Sequence, residues 1–142
     1  MFICVCAVTT WDPIYFKTEL DQSFTFVLNK NTDVVFRSVK NNVGGAYNSA
    51  NGRFVAPISG IYLFIVSVIP ECRARFPAEV NIMIDGVCAG YTISPTYCKS
   101  AGHCIAHLKA GQQVWLSAGP NKVSFQKGTS TYFSGVLLHP SN

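Results

Sequence analysis

Apolar residues fall along this chain in short runs of strand length, separated by brief polar or glycine-bearing breaks. Eight runs rich in Val, Ile, Phe and Tyr stand out, at 24–28, 34–39, 52–56, 61–69, 80–84, 105–108, 114–117 and 132–138. Most are bounded by Gly, Pro, Asn or Asp, which marks them as β-strands. No helical periodicity of useful length competes with them. Asn51-Gly52 and Asp85-Gly86 are hairpin signals, because a two-residue turn of this kind wants positive φ at both central residues. Several short strands at this spacing predict an antiparallel sandwich or barrel. The longest apolar run, 61–69, is interrupted by Ser67 and stopped by Pro70. It falls well short of the roughly 18 residues a membrane-spanning helix needs, so no membrane insertion is expected. With no repeat, low-complexity tract or linker, residues 1–142 read as one domain.

Composition sharpens this picture. The chain is 49% hydrophobic and only 13% charged over 142 residues. A charged fraction about half the usual one excludes a solvated, disordered protein. The charge is unevenly placed. All seven carboxylates (Asp12, Glu19, Asp21, Asp33, Glu71, Glu79 and Asp85) precede residue 86, and residues 86–142 carry Lys99, Lys109, Lys122 and Lys127 with no acid. The net charge of +4 therefore belongs to the C-terminal part and favours an acidic partner. No basic run or lysine–aromatic pattern of the nucleic-acid-binding kind is present, so nucleic acid is not an expected partner. The first eight residues are apolar but lack the basic start and the length of a signal peptide, which predicts a mature form.

Six cysteines, at 4, 6, 72, 88, 98 and 104, point to an oxidising compartment, although six allow 15 connectivities. Metal ligation is the competing reading, because Cys98, His103, Cys104 and His107 crowd together. On a strand His103 and His107 share one face while Cys104 points to the other, so the ligands do not converge and no metal is expected. The same alternation separates Cys104 from His107 as a nucleophile–base pair. No phosphate loop or nucleotide fingerprint occurs. Calcium is disfavoured by the lack of acids after residue 85. No cofactor is implied, and the chain is not expected to be an enzyme.

From Phe36 onward the residues become specific. Phe36, Asn42, Tyr47, Phe54, Gly60, Tyr62 and Phe64 stand at signature spacing, with Val66 where the signature has a further aromatic. His107-Leu108-Lys109-Ala110-Gly111-Gln112-Gln113-Val114-Trp115-Leu116 and Thr131-Tyr132-Phe133-Ser134-Gly135-Val136-Leu137-Leu138 follow. Over about 34–140 the chain resembles the complement C1q domain family, most nearly its stemless invertebrate lectins, such as the sialic-acid-binding lectins of gastropods. The resemblance implies a ten-stranded antiparallel jelly-roll sandwich of the C1q and tumour-necrosis-factor type, assembled as a homotrimer. It makes most motif residues structural: Gly60 and Gly135 permit tight backbone, and Phe54, Tyr62, Phe64, Trp115 and Phe133 fill a core. No collagen-like Gly-X-Y repeat is present, so a head without a stem is expected.

In that fold the connections at 70–77, 93–100 and 119–130 emerge at one end, opposite the termini and the turns at Asp85-Gly86 and Ala110-Gly111. Those loops hold one acid, Glu71, and five bases, an electropositive end on which binding is usually built. The expected ligand-binding residues are Arg73, Arg75, Tyr97, Lys99, Asn121, Lys122 and Lys127. A sialic acid or other acidic sugar on cells or microbes suits them: Arg grips a carboxylate bidentately, and Tyr packs the ring. A disulfide between Cys72 and Cys98 is implied by the family and would staple that end. Cys88 with Cys104 is a further possible pair, whereas Cys4 and Cys6 on one strand lie near the limit of disulfide reach. The expectation is a secreted lectin or pattern-recognition protein of innate immunity. The alternative is a secreted, hormone-like trimeric ligand of a protein receptor.

Overall fold

The computed structural model describes residues 10–21, 32–71, 77–95, 98–119 and 124–141, and residues 24–25 as backbone. Among these the strands are β1 (Tyr15–Leu20), β2 (Phe24–Thr25), β3 (Asp33–Val34), β4 (Ser38–Val43), β5 (Tyr47–Asn48), β6 (Arg53–Val55), β7 (Gly60–Val68), β8 (Ala78–Ile84), β9 (Val87–Ser94), β10 (Ser100–Leu108), β11 (Gln113–Ala118), β12 (Ser124–Phe125) and β13 (Gly128–Pro140). They form two facing antiparallel sheets. The inner sheet runs β10-β7-β13-β1-β4. The outer runs β5-β6-β11-β8-β9, with β3 also paired to β11 and a small β12-β2 ribbon beside them. Two five-strand paths make the ten-stranded jelly roll.

Alternation along each strand supplies the core. In β7, Tyr62, Phe64 and Val66 are buried while Ile61 is exposed; in β11, Val114 and Leu116 are buried. Between the sheets, Phe16, Tyr47, Phe54, Tyr62, Phe64 and Phe133 pack as one aromatic cluster. Phe16 stacks on Tyr47 at 4.8 Å and meets Phe133 edge-on at 5.0 Å. Gly135 is obligatory here, since a Cβ at that position would lie 2.6 Å from the Phe16 ring and 2.7 Å from that of Phe64. Asn42 is a turn clip rather than a binding group. Its amide donates to the Tyr47 carbonyl (2.8 Å) and accepts from the Tyr47 N–H (3.2 Å), closing the turn through Gly44 and Gly45.

Several expectations are corrected. The run at 34–39 is not one strand: Val34 pairs with Leu116 in the outer sheet, and Ser38–Val43 pairs with β1 in the inner one. The chain crosses between sheets at 35–37. The hairpin at Asp85-Gly86 has positive φ at both residues (46° and 89°), as expected, but at Asn51-Gly52 only Gly52 does. There the loop has four residues, and the Gly52 N–H reaches back to the Asn48 carbonyl at 2.8 Å. Trp115 is not a core residue. Its odd position on β11 turns it to the outer face, where the Arg53 guanidinium lies 4.0 Å above its ring.

Candidate recognition surface

The strand ends that carry the predicted loops lie in register. Val68 opposite Ser100, Ala78 opposite Ser94, and Ala118 opposite Val80 place the ends of β7, β9 and β11 and the starts of their neighbours at one end of the sandwich. Cross-links tie the loop bases together. Pro70 bridges Phe125, the Glu71 N–H donates to the Ser124 carbonyl (2.8 Å), and Thr92 and Ser100 share a hydroxyl hydrogen bond of 2.5 Å across the two sheets. The opposite end holds the Asp85-Gly86 and Ala110-Gly111 turns and Pro140, opposite Gly60.

Of the seven expected ligand contacts, Lys99 and Lys127 are described. Both are exposed at the loop end, and among the described residues neither is in an ion pair. Arg73, Arg75, Tyr97, Asn121 and Lys122 lie outside the described residues. Cys98 is an exposed thiol joined to no other described cysteine, and Cys72, its expected partner, lies outside the described residues, as do Cys4 and Cys6. Cys88 and Cys104 are also free thiols. Cys88 sits beside the Asn81 Oδ1 on the outer face (3.8 Å), whereas Cys104 is buried on the inward face of β10, and burial pushes its thiol pKa up. The nearby Cys88 thiol raises it further. His103 and His107 lie on the face of β10 opposite Cys104, as alternation requires.

Among the described residues this end also carries acids that the loops themselves do not contain. Strand pairing brings acids from distant parts of the chain to it. Asp33 is opposite Ser117, Glu79 packs against Gly119, and Asp21 follows Leu20, which is opposite Gly128. Two acids of this half are engaged, Asp33 with Arg53 (3.3 Å) and Glu19 with Lys40 (3.8 Å). Loop composition alone could not reveal this, because these acids reside on strands far away in sequence.

A second surface was not anticipated. The exposed face of the inner sheet carries an uninterrupted apolar row: Ile105, Leu63, Val136, Tyr15 and Val43 are successive cross-strand neighbours on β10, β7, β13, β1 and β4. A hollow of about 270 Å³ opens in this face between Tyr15, Leu63, Ile65, Gly135 and Val136. At the edge where the two sheets meet, β9 and β10 approach closely because Gly90 and Gly102 lack side chains. A Cβ on Gly90 would lie 2.7 Å from the His103 carbonyl oxygen. That edge projects Val87, Tyr91 and Ile105, which are 70%, 60% and 61% exposed. A hollow and a protruding apolar edge thus occur on one chain.

Two facing antiparallel sheets with loop bases gathered at one end and an apolar flank define the fold as a jelly roll. The profile of the C1q domain matches residues 16–138, and the chain belongs to the C1q domain family. As a member it is a non-enzymatic recognition or ligand module. It is 29% identical over 118 residues, 80% of this chain, to complement C1q tumor necrosis factor-related protein 3 of Homo sapiens. It is 26% identical over 110 residues, 75% of this chain, to Caprin-2 of Danio rerio. The chain spans 48% of the first relative, about half its length, and 12% of the second. Among solved structures, the globular domain of zebrafish complement 1qA superimposes with a TM-score of 0.69 at 13% identity, covering 90% of this chain and 99% of that one. Murine APRIL does so with a TM-score of 0.72 at 14% identity, covering 89% and 99%. No helix among the described residues is long and apolar enough to cross a membrane.

Proposed function

We propose that this chain is a secreted recognition head that assembles as a homotrimer and binds acidic glycans, sialic acid foremost, at the loop end. The observation that carries the ligand class is the pair of exposed lysines at that end, Lys99 and Lys127, each outside any ion pair among the described residues, while Asp33 and Glu19 are held by Arg53 and Lys40. Arg73, Arg75 and Lys122 belong to the same loops and add positive charge to that end, with Tyr97 and Asn121 as packing and hydroxyl-bonding groups. The projecting β9–β10 edge and the hollow in the inner sheet support assembly. An edge that fits a hollow on the next copy is a head-to-tail contact, which closes into a ring when its rotation permits. One site for a small polar ligand is weak, on the order of mM to tens of μM. Three sites on one rigid body supply avidity on a crowded surface.

Haemagglutination in the presence of free sialic acid tests this reading. Agglutination that millimolar sialic acid abolishes supports it, and agglutination indifferent to the sugar removes it. A second reading, a hormone-like ligand of a protein receptor, is favoured by the acids Asp21, Glu71 and Glu79 at the same end. Mixed charge of this kind suits a protein surface better than a uniformly anionic glycan.

A further inference from the structure

The exposed face of the inner sheet carries all three histidines of the chain, and glycan recognition at the loop end uses none of them. His107 and His139 flank Ile61 as its two cross-strand neighbours, on β10 and β13. His103 stands four residues before His107 on β10, opposite Ile65 and beside the closely packed β9 edge. The apolar row through Ile105, Leu63, Val136 and Tyr15 runs between them. Histidine is the side chain that gains a positive charge in mild acid, and here three of them border an apolar surface.

We propose that His103, His107 and His139 make the assembly of this chain acid-sensitive: neutral they are tolerated in the contact between copies, and protonated they drive it apart. The inference rests on the reading that this face and the β9–β10 edge join neighbouring copies. Among the described residues, the three rings have no acidic neighbour to offset a positive charge. His107 Nε2 meets the Ser141 hydroxyl (2.7 Å), and His139 meets the Trp11 ring edge-on at 5.3 Å. His103 shares its row with Ile65, Ser134 and Lys17, the last itself a cation lying over Tyr132. No carboxylate of the described residues is within ion-pair reach of any of the three.

The other charged groups nearby do not alter this. Glu19, further along the sheet, is held by Lys40; Asp12, next to Trp11, is exposed; Lys109 follows β10. On the edge that would face them from a second copy stand Val87, Tyr91 and Ile93, with Cys88 beside them. Asp85, in the adjoining turn, accepts from the Gln112 side chain and the Gln113 N–H. Ring closure multiplies each buried charge by the number of copies. Free chains hydrate the protonated rings, so acid favours the separated state. Association is intact above the histidine range and is lost as pH falls through it.

Light scattering of the purified full chain at low micromolar concentration, at pH 7.5 and at pH 5.5, tests the inference, with circular dichroism at both pH values to follow the fold. The expected mass is near three times 15.5 kDa at pH 7.5 and moves toward 15.5 kDa at pH 5.5, with the spectrum unchanged and association weakened at least about tenfold. The variant carrying His103→Gln, His107→Gln and His139→Gln keeps its neutral-pH mass at both. A wild-type mass that does not change with pH, or a variant that dissociates as the wild type does, overturns the inference and leaves the assembly standing. A mass of one chain already at pH 7.5 overturns the assembly, and the inference with it.

Discussion

The Tyr47 hydroxyl donates a 2.6 Å hydrogen bond to the carbonyl of Phe36, joining a strand of the outer sheet to the segment where the chain crosses to the inner one. Phe36 and Tyr47 are both buried, so the bond satisfies a carbonyl that water cannot reach. Replacing Tyr47 with Phe keeps the stacking on Phe16 but orphans that carbonyl, and should cost about 1–3 kcal/mol in denaturant unfolding.

The same phenol gives a pH signature. Burial raises the Tyr47 pKa above 10.0, and likewise that of Tyr62, whose hydroxyl donates to the Ile58 carbonyl. Below pH 10 both phenols are protonated in the folded and unfolded chains. Above it the unfolded chain ionises first, so stability falls as pH rises toward the folded values. Urea midpoints between pH 9 and 11 should fall with pH, less steeply in the double variant Tyr47→Phe, Tyr62→Phe.

Gly135→Ala should destabilise the fold by about 1–3 kcal/mol, because its Cβ would enter the Phe16 and Phe64 rings at the centre of the core. Thermal unfolding reads this directly. Gly86→Ala meets no atom within 4 Å and carries only the strain of its positive φ, so it should cost less.

Thiol reactivity should follow burial. Iodoacetamide on the native protein should label the exposed Cys88 and Cys98 well ahead of Cys104, which is buried with its pKa pushed up. Mass mapping of labelled peptides checks the order. Early labelling of Cys104 would contradict its place in the core.

How far the fold can be read from sequence varies by residue. The aromatic, Asn and Gly positions from Phe36 to Phe64 announce their roles because each is fixed by local sterics: Asn42 by a turn, Gly60 by the His139 carbonyl 2.5 Å from where its Cβ would lie. Strand β1 is hidden although Tyr-Phe-Lys-Thr-Glu-Leu alternates, because Lys17 and Glu19 dilute its apolar character. Strand β9 is hidden for the opposite reason. Its exposed Val87, Tyr91 and Ile93 and its Gly90 break the usual inward pattern, and only the packing of β10 against it explains them. The size of Trp115 suggests a core position, but parity along β11 decides its side. The charge of the loop end is the least legible property, since Asp21, Asp33 and Glu79 arrive there through pairing between residues far apart in the chain.

The lysines at the loop end carry the ligand proposal and can be removed without touching the core. Lys99→Ala with Lys127→Ala should weaken binding to an acidic glycan about tenfold, as loss of charged hydrogen-bond partners does, and leave the melting temperature within about 1 °C. Surface plasmon resonance on an immobilised sialoglycan reads the first and calorimetry the second.

Binding of the assembled protein to an array of matched glycans, each printed with and without its terminal sialic acid, tests the central claim most directly. The account predicts signal on the sialylated member of each pair, lost on its desialylated partner and reduced by salt. Equal binding to both members, or silence across the array alongside capture by a cell-surface protein, would contradict it and favour the receptor-ligand reading.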